Sequence, residues 1–568
     1  MSMLTLQPRV LQQDLSQYQG RMSPTLARIL SARDVAINQF DLELKHLLPA
    51  NLLGLDEAVQ RIDQAIDAQQ QIVIVGDYDA DGATSTALMI LVLRQLGAKV
   101  DYIVPDRFKY GYGLTPAIAE LAFERVHPQL LITVDNGISS HAGVARCHEL
   151  GMDVVITDHH LTTKQTPQAC AVVNPNQLGC HFASKSLVGV GVAFYVLACL
   201  ATHRQKHGKS SVKLNQYLDL VALGTVADVG KLDYNNRILV KAGLNRIRKR
   251  QCRAGILALL EVAGKAVEQM TAQDFGFILG PRINAAGRMD SMQIGIECLL
   301  SEDLPTAYRY AYQLDELNQN RRQVEQKMRD QADRELDKYQ QLESLPPALV
   351  LFEPTWHQGV IGIVAGRLKD HYHRPSIVFA PDEDGIHIKG SARSIAGIHI
   401  RDCIERVAEQ QPELVRFFGG HAAAAGLTIQ RQHFEAFQQA FIKQMQSLDE
   451  QLFQPILYTD GELSDDEFDL DFVAQIQQFE PWGQGFEPPV FCGIFAVLEY
   501  QWLKDSHLKL KLQLDDGRVV EAIGFNLKNK FANPTQRIEL VYSLEKNEFR
   551  GEQRLQLKII HINNISKS

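Results

Sequence analysis

Three aspartates, Asp77, Asp79 and Asp81, alternate through the hexapeptide DYDADG immediately after the apolar run QIVIVG. Read as extended chain, alternate residues point the same way, so the three carboxylates converge on one side. Carboxylates that close repel one another unless a cation sits among them. A calcium loop of the EF-hand type also begins D-x-D-x-D-G, but its twelfth position must be Glu, and here that position is Leu88. It also needs a preceding helix, where this chain has a strand-like run. The EF-hand reading fails, and the bland alternative for the segment taken alone is an Asp-rich turn.

Two further apolar runs end in the same way. QLLITV leads into Asp135-Asn-Gly137, and MDVVIT leads into Asp158-His159-His160. In open α/β sheets ligands bind outside the carboxyl ends of the strands, so the three clusters are expected on one edge. A lone histidine is more often packed than ligating, but two adjacent histidines beside several carboxylates are harder to dismiss. LVALGTVADVG adds Asp228 after another apolar run, where a helix cap is the equally plain alternative. Carboxylates and imidazole without thiolate suit Mg²⁺ or Mn²⁺. A shared carboxylate can bridge two ions about 3.5–4 Å apart, a pair that activates water and stabilises both oxygens in phosphoryl transfer.

The elements that must position these residues are legible from the pattern. From about residue 71 short continuous Val/Ile runs alternate with helical stretches over 83–96, 116–125 and 140–150. Continuous apolar strands alternating with helices predict an α/β fold with a doubly wound parallel sheet. Between Pro305 and Pro346 there is neither Gly nor Pro, which predicts a connecting helix of roughly 35 residues, about 50 Å long. A second α/β unit follows, and from Val490 short strand-like runs with turn signals such as DDG at 515–517 suit an OB-type β-barrel. The expected organisation is an N-terminal extension over 1–55, the ligand-bearing domain over 56–304, the helix over 305–346, a second α/β domain over 347–450, and an acidic linker plus barrel over 451–568.

The chain has 568 residues and a net charge of −9. The ten acidic residues between Asp460 and Glu499 are matched by no Lys or Arg over 451–500, so the rest of the chain is close to neutral, and the stretch from 501 onward is locally basic. That leaves room for a basic nucleic-acid path. The acidic stretch 460–471 reads as a solvated surface or linker. Eight cysteines without a C-x-x-C pair read as reduced thiols, and no structural zinc is expected. The amino terminus has no signal-peptide pattern, and the longest apolar stretch, 188–201, is too short to span a bilayer, so a cytoplasmic protein without membrane contact is expected.

DYDADG, VDNG, DHH and VADV, in this order and spacing, resemble the four motifs of the DHH/DHHA1 phosphoesterase family. DYDADGATSTAL, VVNPNQ, LVGVGVAFYV, LVALGTVADV, GPRINAAGRMD, WHQGVIGIVAGRL, GSARS and FGGHAAAAG extend the resemblance over roughly residues 55–565, toward the family's single-strand-specific 5′→3′ exonucleases. The resemblance implies metal-dependent hydrolysis of single-stranded DNA to 5′-mononucleotides, threaded between two lobes, with two Mn²⁺ or Mg²⁺ ions. It implies Asp79, Asp81, Asp135, His159 and Asp228 as ligands, with Asp135 bridging. Asp77 is either a ligand or its close neighbour. Asp158 orients a histidine, and His160 lies near the scissile phosphate. It also implies work in recombination, mismatch repair and base-excision repair, with single-stranded-DNA-binding protein and a RecQ-type helicase as partners of a monomer. Rival readings are a phosphodiesterase for short oligonucleotides or cyclic dinucleotides, a pyrophosphatase, and a catalytically silent single-strand-binding module.

Substrate-gripping candidates follow. Arg282, Asn284 and Arg288 lie in GPRINAAGRM, where small residues admit a close ligand and arginines clamp phosphate; pairing with a surface acid is the alternative. Gly419, Gly420 and His421, followed by four alanines, read as a tight turn opening a helix whose N–H groups bind phosphate or a DNA end. The resemblance adds Arg393 of GSARS, and His357 stands between contact and structural hydrogen bond. Trp502, Lys504, His507, Lys509 and Lys511 mix aromatic and basic character in the barrel. Alternation of the last two with Leu508, Leu510 and Leu512 also fits an ordinary half-wet strand.

Overall fold

The computed structural model describes residues 4–105, 110–111, 113–162, 165–340, 345–528, 531, 533–549 and 551–565. The chain forms two compact units: Met1–Leu6, Arg288–Asp290 and Glu316–Leu457 make one, and Gln7–Gly287, Ser291–Asp315 and Tyr458–Ser568 make the other.

The larger unit holds five parallel strands, β1 (Gln71–Val75), β2 (Lys99–Ile103), β3 (Leu130–Val134), β4 (Asp153–Thr157) and β5 (Ala171–Val173), in the order β2-β1-β3-β4-β5. Ile72–Val75 and Leu130–Val134 are buried throughout, which is why these strands read as unbroken apolar runs. Helix α1 (Ala80–Gln95) follows β1, α2 (Gly189–Lys206) follows β5, and α3 (Leu218–Ala227) and α4 (Tyr234–Arg248) complete the part that bears on the site. Helix α1 is buried on nearly every side, so it lacks an amphipathic stripe. Chain order reverses between β1 and β3, and a sheet of this order opens a crevice there at the carboxyl ends.

The same unit contains a closed five-stranded barrel of β11 (Phe491–Leu503), β12 (His507–Gln513), β13 (Val519–Gly524), β14 (Arg537–Phe549) and β15 (Glu552–Asn564), ordered β11-β12-β13-β15-β14. Leu508, Leu510 and Leu512 are fully buried, while Lys509 and Lys511 point outward and pair with Glu521 at 3.0 Å and Glu499 at 2.7 Å. Their charges are matched on the barrel itself.

Of the two readings of the acidic stretch, the linker is corrected: the stretch is folded, while Glu462, Asp466 and Asp471 are exposed as a solvated surface requires. Phe468, Phe472 and Ile476 pack into the barrel's apolar cluster together with Leu26 and Ile29 from a helix over Pro24–Ser31. Asp460 is buried in a two-pronged pair with Arg33, at 2.7 and 3.0 Å. The physical reason is that apolar residues among and after the acids face inward: Phe468 just before a short helix, Leu470–Gln477, and Phe472, Val473 and Ile476 on it, with Asp469 as its N-cap.

Helix α6 (Leu304–Gln340), preceded by α5 (Gly280–Met289), runs for 37 residues from the larger unit into the smaller one. The smaller unit has a five-stranded mixed sheet of β6 (Leu349–Phe352), β7 (Ser376–Pro381), β8 (His387–Arg393), β9 (Phe417–Gly420) and β10 (Ala424–Gln430), ordered β9-β10-β8-β7-β6. Here the sequence expectation is corrected. Gly419, Gly420 and His421 form the tip of a β-hairpin, not the start of a helix: Gly419 pairs with Gly426, Gly420 with Ala425, and His421 N–H donates to Ala424 O at 2.8 Å. Alternating burial of Ala425, Leu427 and Ile429 wins over the helix preference of the alanines, because a half-buried strand needs only period two.

Candidate metal centre

The aspartates of DYDADG do not converge by strand alternation. Only Asp77 lies on the segment leaving β1. Asp79 is the N-cap of α1, accepting the Gly82 N–H at 3.0 Å, and Asp81 lies in its first turn. The helix starts earlier than expected because Asp79 caps it. Asn284 Oδ1 accepts the Ala80 N–H at 2.7 Å and so anchors this turn to α5.

Asp81 is held by a second helix. The first two residues of α2, Gly189 and Val190, donate their N–H groups to its two oxygens at 2.6 and 2.8 Å. Helix N-termini bind carboxylate well because those amides have no intrahelical partner. Only glycine fits at 189, since a Cβ there would lie 2.6 Å from Asp135 Oδ1.

Asp135 follows β3 in the left-handed region, φ +63, which a short polar side chain tolerates. Its neighbour Asn136 donates from Nδ2 to the carbonyls of Val75 and Val134 at 3.1 and 2.9 Å, tying the ends of β1 and β3 together where they diverge. After β4, Asp158 organises the two histidines. It accepts the N–H groups of His159, His160 and Ile138 at 2.7, 3.1 and 2.8 Å, and its Oδ1 lies 2.7 Å from His160 Nδ1. Asn174 and Asn176 donate to the carbonyls of His160 and His159.

The result is a convergent cluster. His159 Nε2 lies 3.0 Å from Asp135 Oδ1, 3.6 Å from Asp228 Oδ2 and 3.9 Å from Asp81 Oδ2. Three overlapping sets, Asp77–Asp79–Asp135, Asp135–His159–His160 and Asp81–His159–Asp228, each bring ligand atoms within 4.8 Å of one another. Asp135 belongs to two of them. Its Oδ1 is buried and, despite the 3.0 Å approach of His159, receives no aligned hydrogen bond among the described residues. Asp228, at the C-terminus of α3, closes the third set.

The electrostatics point the same way. Burial, with the charge of Asp79 next, pushes Asp77 up to about 8 and Asp81 up to about 7. Asp135 and Asp228 are raised well above the carboxylate range by burial and then by Asp81. His159 is lowered to about 4 by burial and by the charge on His160, so at neutral pH it is a neutral imidazole with ligand character. Burial alone would lower His160, but its bond to Asp158 and the neighbouring carboxylates hold it up at about 9, as an imidazolium. Asp158 is lowered, burial being overcome by its bond to His160. Buried carboxylates with raised proton affinity, one with an oxygen that receives no aligned hydrogen bond among the described residues, fit divalent cations. The chemistry of the set suits hard, oxygen-seeking ions.

The gripping candidates fall into two groups. Arg282 is buried against Asp315, 2.8 Å from Nη2, and also donates to Ile278 O; that is the structural alternative. Arg288 Nη1 donates to Gly359 O at 3.2 Å. His357 Nδ1 accepts the Gly359 N–H at 3.0 Å within its own turn. Arg393 differs. Nη1 donates to Ser391 Oγ and Ala392 O, burial lowers its proton affinity, and among the described residues no carboxylate lies within ion-pairing distance. Gly419, Gly420 and His421 are exposed at their hairpin tip.

Sequence reasoning passed over the groups that hold the ligands: the Gly189 and Val190 amides, Asn136, Asn174 and Asn176. Their signals were present in GVG ahead of an apolar helix, in VDNG and in VVNPNQ.

Comparison with known proteins bears on the whole chain. The model for the DHH family, N-terminal domain, matches residues 71–225, that for the DHHA1 domain matches 346–447, and that for the RecJ OB domain matches 459–561. The chain is 48% identical to the single-stranded-DNA-specific exonuclease RecJ of Haemophilus influenzae over 558 residues, 96% of this chain and 97% of that protein. Its structure is similar to that of RecJ from Thermus thermophilus in complex with Mn²⁺, with TM-score 0.84 and 28% identity over 99% of this chain and 80% of the other. The Mg²⁺ complex from the same organism gives TM-score 0.78 at 26% identity over 99% and 79%.

Proposed function

We propose, from the premise that the chain belongs to the RecJ family of single-stranded-DNA-specific exonucleases, that it hydrolyses single-stranded DNA from the 5′ end and releases 5′-mononucleotides. The observation that carries the chemistry is the pair of ligand sets Asp77–Asp79–Asp135 and Asp81–His159–Asp228, joined by the 3.0 Å approach of His159 to Asp135, in a chain that aligns with a family member over 96% of its residues.

Asp77, Asp79, Asp81, Asp135, His159 and Asp228 would hold two Mn²⁺ or Mg²⁺ ions, with Asp135 shared. When bound, such ions lower the proton affinity of water and neutralise charge on a phosphodiester in displacement. The chain's own groups do the rest. Gly189 and Val190 fix both oxygens of Asp81, so its lone pairs cannot swing away. Asp158 locks the orientation of His160 and keeps it charged, and the imidazolium places positive charge beside the phosphate oxygens. Arg393, which has no carboxylate partner among the described residues, is the strongest of the gripping candidates. The hairpin tip at Gly419, Gly420 and His421 presents an exposed imidazole for a strand end.

The same reading includes action in recombination and repair, partnership with single-stranded-DNA-binding protein and a RecQ-type helicase, a monomeric chain and a cytoplasmic setting. All of these rest on family likeness. No described helix is long and apolar enough to cross a membrane.

The test is digestion of a long single strand labelled in separate samples at either end, with Mn²⁺ supplied. Early release of the 5′ label as a mononucleotide, with the 3′ label retained, is expected. Cleavage restricted to di- and trinucleotides would point to a phosphodiesterase for short substrates instead.

A further inference from the structure

Asp228 reaches the metal centre from the C-cap of α3, just ahead of a loop with unusual backbone. The next residue, Val229, stands at φ +57 with its side chain 63% exposed. A β-branched residue is strained there, because its Cβ crowds the following carbonyl, so neighbouring contacts must hold it.

Two sets of contacts do so. On one side Gly230 N–H donates to Thr225 O at 3.0 Å. Gly230 also lies so close to Val188, the residue before the amides that hold Asp81, that a Cβ would come within 2.6 Å of Val188 Cγ1. On the other side Leu232 N–H donates to Gln484 O at 2.7 Å. The buried Leu232 side chain lies under Gly483, where a Cβ would sit 2.8 Å from Leu232 Cδ1. Gly485, at φ +67, lies against Lys231, with 2.5 Å between the position of a Cβ and Lys231 Cγ. The turn over 482–486 is itself fixed. Gly483 and Phe486 exchange backbone hydrogen bonds of 2.9 and 3.0 Å, Trp482 stacks on Phe486 at 4.7 Å, and the Arg237 guanidinium of α4 lies 3.8 Å from the Phe486 ring centre.

We infer that the turn over Trp482–Phe486 is a positioning brace for Asp228, so that cation binding by the Asp81–His159–Asp228 set depends on a contact supplied by the carboxy-terminal part of the chain. The inference rests on the metal-centre reading above. Asp228 and Val229 are tied to their helix by N–H bonds to Gly224 O at 2.9 Å and Val226 O at 3.1 Å, so losing the brace frees the segment after Val229 and removes the packing that keeps the Asp228 side chain turned toward His159. Gln484 and Gly485 touch neither ligand nor substrate; they act through the loop.

The experiment uses the full chain, freed of metal by chelation, with Gly485→Val as the variant. A β-branched residue at φ +67 is strained and its Cβ meets Lys231. Binding of Mn²⁺ is read by the electron paramagnetic resonance signal of the free ion, and exonuclease rate is read against Mn²⁺ concentration. The expected result is Mn²⁺ binding weakened about tenfold, a matching rise in the Mn²⁺ needed for half-maximal rate, and a return of kcat at saturating Mn²⁺ with KM for DNA unchanged. A variant with a lower unfolding temperature but Mn²⁺ affinity within twofold of wild type overturns the brace, since a merely structural turn gives that outcome. Should Gly485→Val not fold, Phe486→Leu, which removes the aromatic faces from Trp482 and Arg237, is read by the same criteria. A wild-type chain that binds no Mn²⁺ overturns the metal-centre reading and the brace with it; a wild type that binds normally beside an unchanged variant overturns the brace alone.

Discussion

Asp135 is almost fully buried, sits at φ +63, and points a carboxylate oxygen at His159 without an aligned donor. Neighbouring carboxylates and burial make its ionised form costly in the absence of cations. Asp135→Asn keeps a residue that tolerates the left-handed backbone and removes that cost. The metal-free variant is therefore expected to be more stable than wild type by about 1–3 kcal/mol, measured by thermal melts in chelator. Its exonuclease rate should fall by about a thousandfold, the several kcal/mol such ions supply. A variant that melts lower and still cuts would remove Asp135 from the centre. The pH dependence follows from the same shifts. Asp77 and Asp81, raised to about 8 and about 7 from an ordinary 3.8, bind protons more tightly folded than unfolded. Their contribution to stability is whole below pH 4 and is lost as pH rises through 7 and 8. The metal-free chain should thus melt progressively lower between pH 5.5 and 8.5. Over the same window Mn²⁺ should bind more tightly and expel protons. Calorimetry in buffers of different ionisation heat measures the protons released, and a count of zero at pH 6.5 contradicts the assignment.

At the scale of elements, the N-terminus of α2 is the piece most sensitive to a single methyl group. Gly189→Ala places a Cβ against Asp135 Oδ1 while leaving the helix intact, and alanine favours helix. Mn²⁺ affinity should fall by about tenfold or more with the circular dichroism spectrum unchanged; unaltered affinity would show that the helix end has slack. The elements also show what sequence made legible and why. Unbroken Val/Ile runs declared the parallel strands, because burial on both faces leaves no alternation to read. The acidic clusters at their ends followed from the edge rule for open sheets. Convergence within DYDADG is partial and by another route: Asp77 and Asp79 share one set, while Asp79 caps a helix whose first turn carries Asp81 into a different one. GGHAAAAG misled for a related reason. Alanine's helix propensity is a local preference of under 1 kcal/mol, and pairing with β8 outweighs it. The holding groups around the ligands, Gly189, Asn136 and Asn176, were hidden because backbone amides and side-chain amides carry no chemistry until the fold shows what they face.

Across the whole molecule, the local charge count was the least reliable guide. The acidic stretch 460–471 suggested a solvated surface or linker, yet Asp460 is buried with Arg33, over 400 residues away in sequence. Long-range pairs of this kind leave no trace in composition or periodicity. Asp460→Ala strands the Arg33 guanidinium in the interior and should cost about 3–5 kcal/mol, seen as a drop in the denaturation midpoint. Replacing both by leucine should recover most of that loss, and a cost confined to a few tenths would mean that water reaches the pair. The expected N-terminal extension is likewise part of the fold, since Leu26 and Ile29 complete the barrel's apolar cluster.

The division of the chain carries an evolutionary consequence. Every member of the carboxylate–histidine cluster, from Asp77 to Asp228, lies in one compact unit, while Arg393 and His421 lie in the other. On the reading proposed above, hydrolytic chemistry and the grip on the strand fall in different units of the chain. Descent with recombination can hand the first to new companions, and a lineage that exchanges the second can redirect an unchanged reaction to a different phosphodiester.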